Sequence, residues 1–128
     1  MEERYGKKAG IGQSANSLVL LLAILVIVFC VFTFIQLAFK LTSTDPVAAG
    51  NSYYKGIFDW FRLPSNLETL LTRPWTVFTY MFLHDGVFHL IGNLIWLWVF
   101  GYILQDLAGG KTIIPLFIYG GLAGGVLF

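Results

Sequence analysis

Polar and apolar positions are distributed very unevenly along the chain. Residues 17–39, SLVLLLAILVIVFCVFTFIQLAF, hold no charged side chain. A helix rises about 1.5 Å per residue, so this run is long enough to cross a hydrocarbon core about 30 Å thick, and it predicts a first transmembrane helix over 17–39. A secretory leader competes for the same residues, because Arg4, Lys7 and Lys8 precede the run and Val47, Ala48 and Ala49 follow it. Leader cores usually span about 7–15 residues, and this run is longer, so the spanning helix is the preferred reading. A second apolar run, VFHLIGNLIWLWVFGYIL, predicts a span over 87–104, and a third predicts one over 112–128. The last span has no basic residue after Lys111, and its end at Phe128 reads as a cut inside an apolar segment. Residues 105–111 form a short connection, which predicts that the second and third spans are antiparallel neighbours.

Residues 40–86 are too hydrophobic for a free linker. Tyr53, Tyr54, Ile57, Phe58, Trp60, Phe61 and Leu63 predict a segment lying at headgroup depth, with its aromatic side chains as anchors. Ser65 and Glu68 have capping-box spacing, Leu67, Leu70 and Leu71 form one stripe, and Pro74 follows. Together they predict a short interfacial helix over 66–72.

Composition supports the same class. The 128 residues are 57% hydrophobic and 12% charged, with a mean hydropathy of +0.75, whereas a soluble domain carries about 25% charged residues. The expected fold class is an all-α membrane protein. With 8 basic and 7 acidic residues there is no cationic surplus, so no nucleic-acid partner is expected. The basic residues of the tail, 1–16, place the N-terminus in the cytoplasm, the 40–86 loop outside and Lys111 back inside. The single cysteine, Cys30, excludes an internal disulfide and reads as a small apolar residue in the first span.

Two polar side chains interrupt the second span. His89 and Asn93 are four residues apart, roughly 400° of helical rotation, and therefore share one face, with Asn93 about 6 Å deeper. Such groups are costly in lipid unless they meet a partner or a hydrated site. A packing role is also open: Asn93 bonding to a neighbouring helix while His89 reaches the interface. His84, His89 and Asp85 are too few for a zinc site of three or four protein ligands. Gly120, Gly121, Gly124 and Gly125 make two overlapping GxxxG patterns, which predict close approach by another helix, and Gly92 and Gly101 offer the second span the same opportunity. Trp60, Trp75, Trp96 and Trp98 read as interfacial or packing residues.

The stretch WTVFTYMFLHDGVFHLIGN, residues 75–93, resembles the approach to the second core helix of the rhomboid family of intramembrane serine proteases. A loop tryptophan, Trp75, precedes a histidine at the helix entrance, His84, and then an HxxxN motif, His89 to Asn93. Trp96, Trp98, Gly101, a Gly-Gly-Lys turn at 109–111 and a glycine-rich third helix continue the order. The resemblance covers residues 17–128 and implies a rhomboid-like helical bundle, cut after the third helix of a six-helix core. It implies side-chain oxyanion donors at His89 and Asn93, with His84 as site support. It also implies a GxSG serine on a fourth helix and a base histidine on a sixth. None of Ser14, Ser17, Ser43, Ser52 and Ser65 stands in GxSG, so this chain alone is expected to be inactive.

What the resemblance implies for function is an endopeptidase cutting transmembrane protein substrates, in contact with membrane lipid, in a multi-pass protein of the bacterial inner membrane. No cofactor is implied, since serine chemistry with an oxyanion hole needs none. A rhomboid-like pseudoprotease that binds or routes membrane proteins, and an unrelated three-helix structural protein, are the competing readings. Two positions depart from the family pattern. Thr76 follows Trp75 where an arginine is common, with Arg73 the nearest substitute, and Gln105 and Asp106 stand where a glutamate is common.

Overall fold

The computed structural model describes residues 11–127; Arg4, Lys7, Lys8 and Phe128, which entered the topology and terminus expectations, lie outside them. Helix α1 runs Ile11–Thr42, beyond the 17–39 apolar run at both ends. A backbone in lipid must satisfy its polar groups within its own segment, which drives the apolar run into a helix. Its end is stabilised by Lys40 in the last turn and by the Thr42 hydroxyl, which donates to the Ala38 carbonyl at 3.0 Å.

The 40–86 segment folds into short helices packed across one end of the bundle. Asp45 caps α2, Pro46–Gly56, by accepting from the Val47 N–H at 2.9 Å, and Pro46 occupies the first turn, where a missing N–H costs nothing. Tyr53 on α2 is buried and meets the rings of Phe39 at 6.2 Å and Phe58 at 6.0 Å, tying the segment to the end of α1. Helix α3 is Leu67–Thr72. Its N-cap is Asn66, whose side chain accepts from the Glu68 N–H at 2.9 Å, and not Ser65 as the capping-box spacing suggests. Asparagine and serine cap about equally well, and here Asn66 has the extended backbone the position requires. Helix α4, Thr76–Thr79, passes into a 3-10 turn, Tyr80–Phe82.

Helix α5 is Val87–Ala108, and Gly109, at φ 84°, stops it in a conformation that L side chains rarely adopt. A 3-10 turn, Gly110–Thr112, leads into α6, Ile113–Leu127. Three helical stretches have the length and composition to cross a membrane: Ser17–Thr42, Val87–Ala108 and Gly110–Leu127. No strand occurs among the described residues.

The core lies where α1, α5 and the start of α6 meet. Leu18, Leu21 and Ile113 are buried there, with Leu97, Leu104, Phe82 and Phe117 against them. Gly101 admits the contact between α1 and α5: a Cβ there would lie 2.6 Å from Leu18 Cδ1. Helices α5 and α6 join at the Gly109 turn and then leave between them a cleft of about 660 Å³, with Tyr80 and Met81 on its wall. Two of the four α6 glycines, Gly121 and Gly125, meet the connecting segment. Met81 occupies the space a Gly121 side chain would need, and a Cβ at Gly125 would lie 3.0 Å from the Tyr80 hydroxyl. The connecting segment, and not a helix, fills these notches, while Gly120 and Gly92 face open space.

Candidate active site

The chain reaches α5 through Leu83, His84, Asp85 and Gly86, and this turn sets the site. His84 is 6% exposed. Its Nδ1 lies 3.2 Å from the Phe82 carbonyl oxygen, which can only accept, so Nδ1 carries the proton and donates. Nε2 is then left with a lone pair, and it accepts from Asn93 Nδ2 at 3.0 Å. Burial holds the His84 imidazole below its ordinary 6.5; the Phe82 bond opposes that shift and nearby His89 reinforces it. All three effects concern a ring that works here as a neutral group.

His89 and Asn93 do share a face of α5, and the structure brings His84 to the same place from the preceding turn. The rings of His84 and His89 are 5.2 Å apart. All three side chains line one cavity of about 570 Å³, together with Tyr80, Asp85 and Arg62. An asparagine amide nitrogen has two hydrogens, so one remains for the cavity after the bond to His84. The His89 ring, which lines the same cavity, can offer an N–H beside it.

Three contacts hold the connecting segment around this cavity, and no local motif reports the partners they join. The Tyr80 hydroxyl donates to the Gly121 carbonyl, fixing the segment before His84 onto α6. Tyr54 donates to Asp85 Oδ1 at 2.7 Å across 31 positions of sequence, which joins α2 to the turn beside His84. That bond is the main cause of a raised Tyr54 pKa, with burial second, while burial above all pushes Tyr53 up to about 12. The third support is the loop tryptophan. Trp75 Nε1 donates to the Trp60 carbonyl at 2.9 Å, and the two indoles stack at 6.2 Å with planes 5° apart. Arg73 lies 4.1 Å over the Trp60 ring and donates to the Asp59 carbonyl at 3.3 Å. Thr76, the residue after Trp75, is fully buried and donates to the Arg73 carbonyl at 2.7 Å. Gln105 and Asp106, the other departure, lie near the far end of α5 from His84.

An all-α membrane protein with a histidine-asparagine cluster where its second span begins is the class that this geometry defines. The family model of the Rhomboid domain matches residues 71–128, which include the whole cluster. The chain is also similar to Rhomboid protease GlpG of Pectobacterium atrosepticum, at 23% identity over 123 residues; the match takes in 96% of this chain and 38% of that protein's length. No solved structure matches. Over residues 71–128 the chain is therefore similar to the rhomboid family.

Proposed function

We propose that the chain contributes the oxyanion-binding side of an intramembrane serine endopeptidase that cuts transmembrane protein substrates. The observation that carries this reading is the convergence of the His89 imidazole and an amide oriented by His84, Asn93, on one cavity. When a serine oxygen attacks a peptide carbonyl, the carbonyl oxygen gains a full negative charge. Donors without net charge that are already aimed at that oxygen stabilise the transition state more than the ground state, by roughly 3 kcal/mol for a single donor. The nucleophilic serine and the base histidine are not among these residues: no serine here stands in GxSG, and His84 and His89 are the only histidines. The reading places the N-terminus in the cytoplasm, the His89 end of α5 at the outer face and the protein in a bacterial inner membrane.

The test is cleavage of a transmembrane substrate by the complete protein, with His89→Ala and Asn93→Ala variants. Each should lower kcat about 10²-fold to 10³-fold. Rates equal to wild type in both would sink the oxyanion assignment. A complete protein that binds the substrate and never cuts it would replace catalysis with binding or routing.

A further inference from the structure

A second polar cleft adjoins the active-site cavity on the connecting segment, with Arg62 on the wall of both. It measures about 360 Å³, and its wall includes Asp59, Arg62, Ser65, Asn66, Thr69 and Arg73. Two guanidinium groups against one carboxylate give these side chains a net charge of +1. Arg62 meets Asp59 only at 3.9 Å, with both side chains largely in the open, and such a contact neutralises little. Arg73 forms no ion pair among the described residues, and its guanidinium is held by the Asp59 carbonyl and the Trp60 ring. Only one of its five N–H donors is engaged in that carbonyl bond. The hydroxyls of Ser65 and Thr69 line the same space without a hydrogen bond among the described residues.

The surroundings fix the depth at which this cleft works. Leu67 and Leu71 on α3 are 75% and 79% exposed, and Trp60 and Trp75 stand 45% and 42% exposed beside it. Exposed leucines next to indoles with polar edges belong at the boundary between headgroups and acyl chains. A pre-positioned arginine at that depth sits where the lipid phosphates are most concentrated, and a planar guanidinium matches two phosphate oxygens at once. We propose that the Arg62 and Arg73 cleft binds the phosphodiester of an anionic phospholipid headgroup, so that a lipid molecule helps to seat the connecting segment. The site shares Arg62 with the active-site cavity, and its test reads lipid contact and not peptidase activity.

The experiment uses the chain reconstituted in vesicles of phosphatidylcholine and phosphatidylglycerol, with Trp96→Phe and Trp98→Phe so that only Trp60 and Trp75 fluoresce. The lipid mixture stays fixed and the bromine quencher is carried by one lipid or the other, so surface charge does not change. Quenching should show about a fivefold preference for phosphatidylglycerol at these indoles, the size expected of one added basic contact. Arg62→Gln should remove the preference while circular dichroism shows the helices unchanged. Arg62 is the residue to change, since Arg73 also holds the loop. Equal quenching by both lipids, or a preference that survives Arg62→Gln, overturns the proposal. A preference abolished by millimolar inorganic phosphate makes the ligand a soluble anion and overturns the lipid assignment.

Discussion

Asn93 and His84 are joined nitrogen to nitrogen, amide Nδ2 to imidazole Nε2 at 3.0 Å, and this bond decides which way the amide faces. It exists only while His84 is neutral, because a protonated Nε2 has no lone pair to offer. The folded-state value lies below the 6.5 of the unfolded chain, so the unfolded chain takes up a proton that the folded chain resists. The associated stability is complete above pH 6.5 and is lost as pH falls through the lowered value. We expect the Asn93 side-chain amide resonances, in micelles or nanodiscs, to hold steady above pH 6.5 and to shift with a midpoint below it. A midpoint above 6.5, or no shift down to acid unfolding, would contradict the neutral-acceptor arrangement.

The glycines of α6 differ in what faces them, and substitution should separate them. A methyl group at Gly121 collides with Met81, whose Cγ as well as its sulfur stands in the way, so Met81 cannot simply swing aside. Gly121→Ala should cost about 1–3 kcal/mol, the range for overpacking. Gly120→Ala meets open space and should change little. Unfolding of the two variants in mixed micelles, followed by circular dichroism, checks the difference; equal stabilities would show that the Met81 contact does not constrain α6.

Legibility in the sequence followed the range of the forces involved. The spans were readable because lipid forces an uncharged run into a helix whatever it packs against. Asn93 and His89 were readable as a pair because helical period alone puts them on one face. His84 was placed near the site, but its bond to Asn93 depends on the turn at Asp85 and Gly86, and no periodicity reports a turn's direction. Tyr54 and Asp85 are 31 positions apart and carry no shared pattern. The α3 cap fell on Asn66 and not on Ser65, because both residue types cap and only the backbone conformation decides between them, and the glycine pattern of α6 disclosed a close approach without saying that Tyr80 and Met81 meet Gly121 and Gly125.

Arg73 holds the loop through shape as well as charge. Its guanidinium donates to the Asp59 carbonyl and sits 4.1 Å over the Trp60 ring, which in turn stacks on Trp75. Arg73→Ala removes both contacts and should cost about 1.5–2 kcal/mol, from roughly 1 for the hydrogen bond and 0.5–1 for the cation–π contact. Arg73→Lys keeps the charge and loses the planar fit, so about half of that loss is expected. Near-ultraviolet circular dichroism reads the stacked indoles directly. A signal unchanged in Arg73→Ala would show that the two tryptophans stack without the arginine.

The hydrogen bond from Tyr54 to Asp85 closes the loop segment onto the residue next to His84, so its loss should be felt in the site as well as in stability. The bond is short, at 2.7 Å, but its partners are not fully buried, and about 1 kcal/mol is a suitable expectation for Tyr54→Phe. Alkaline pH gives an independent check. Tyr54 must keep its proton to donate, and its folded-state pKa is raised above 10, first by this bond and then by burial. A raised value means that the stability is fully present below pH 10 and is lost as pH rises through the folded-state value. Tyr53, pushed up to about 12, extends the same slope further. Tyr54→Phe should therefore weaken the alkaline loss of stability without abolishing it. Phenolate absorbance and unfolding measured together on both proteins decide the matter: an identical alkaline slope would mean that Tyr54 does not hold Asp85.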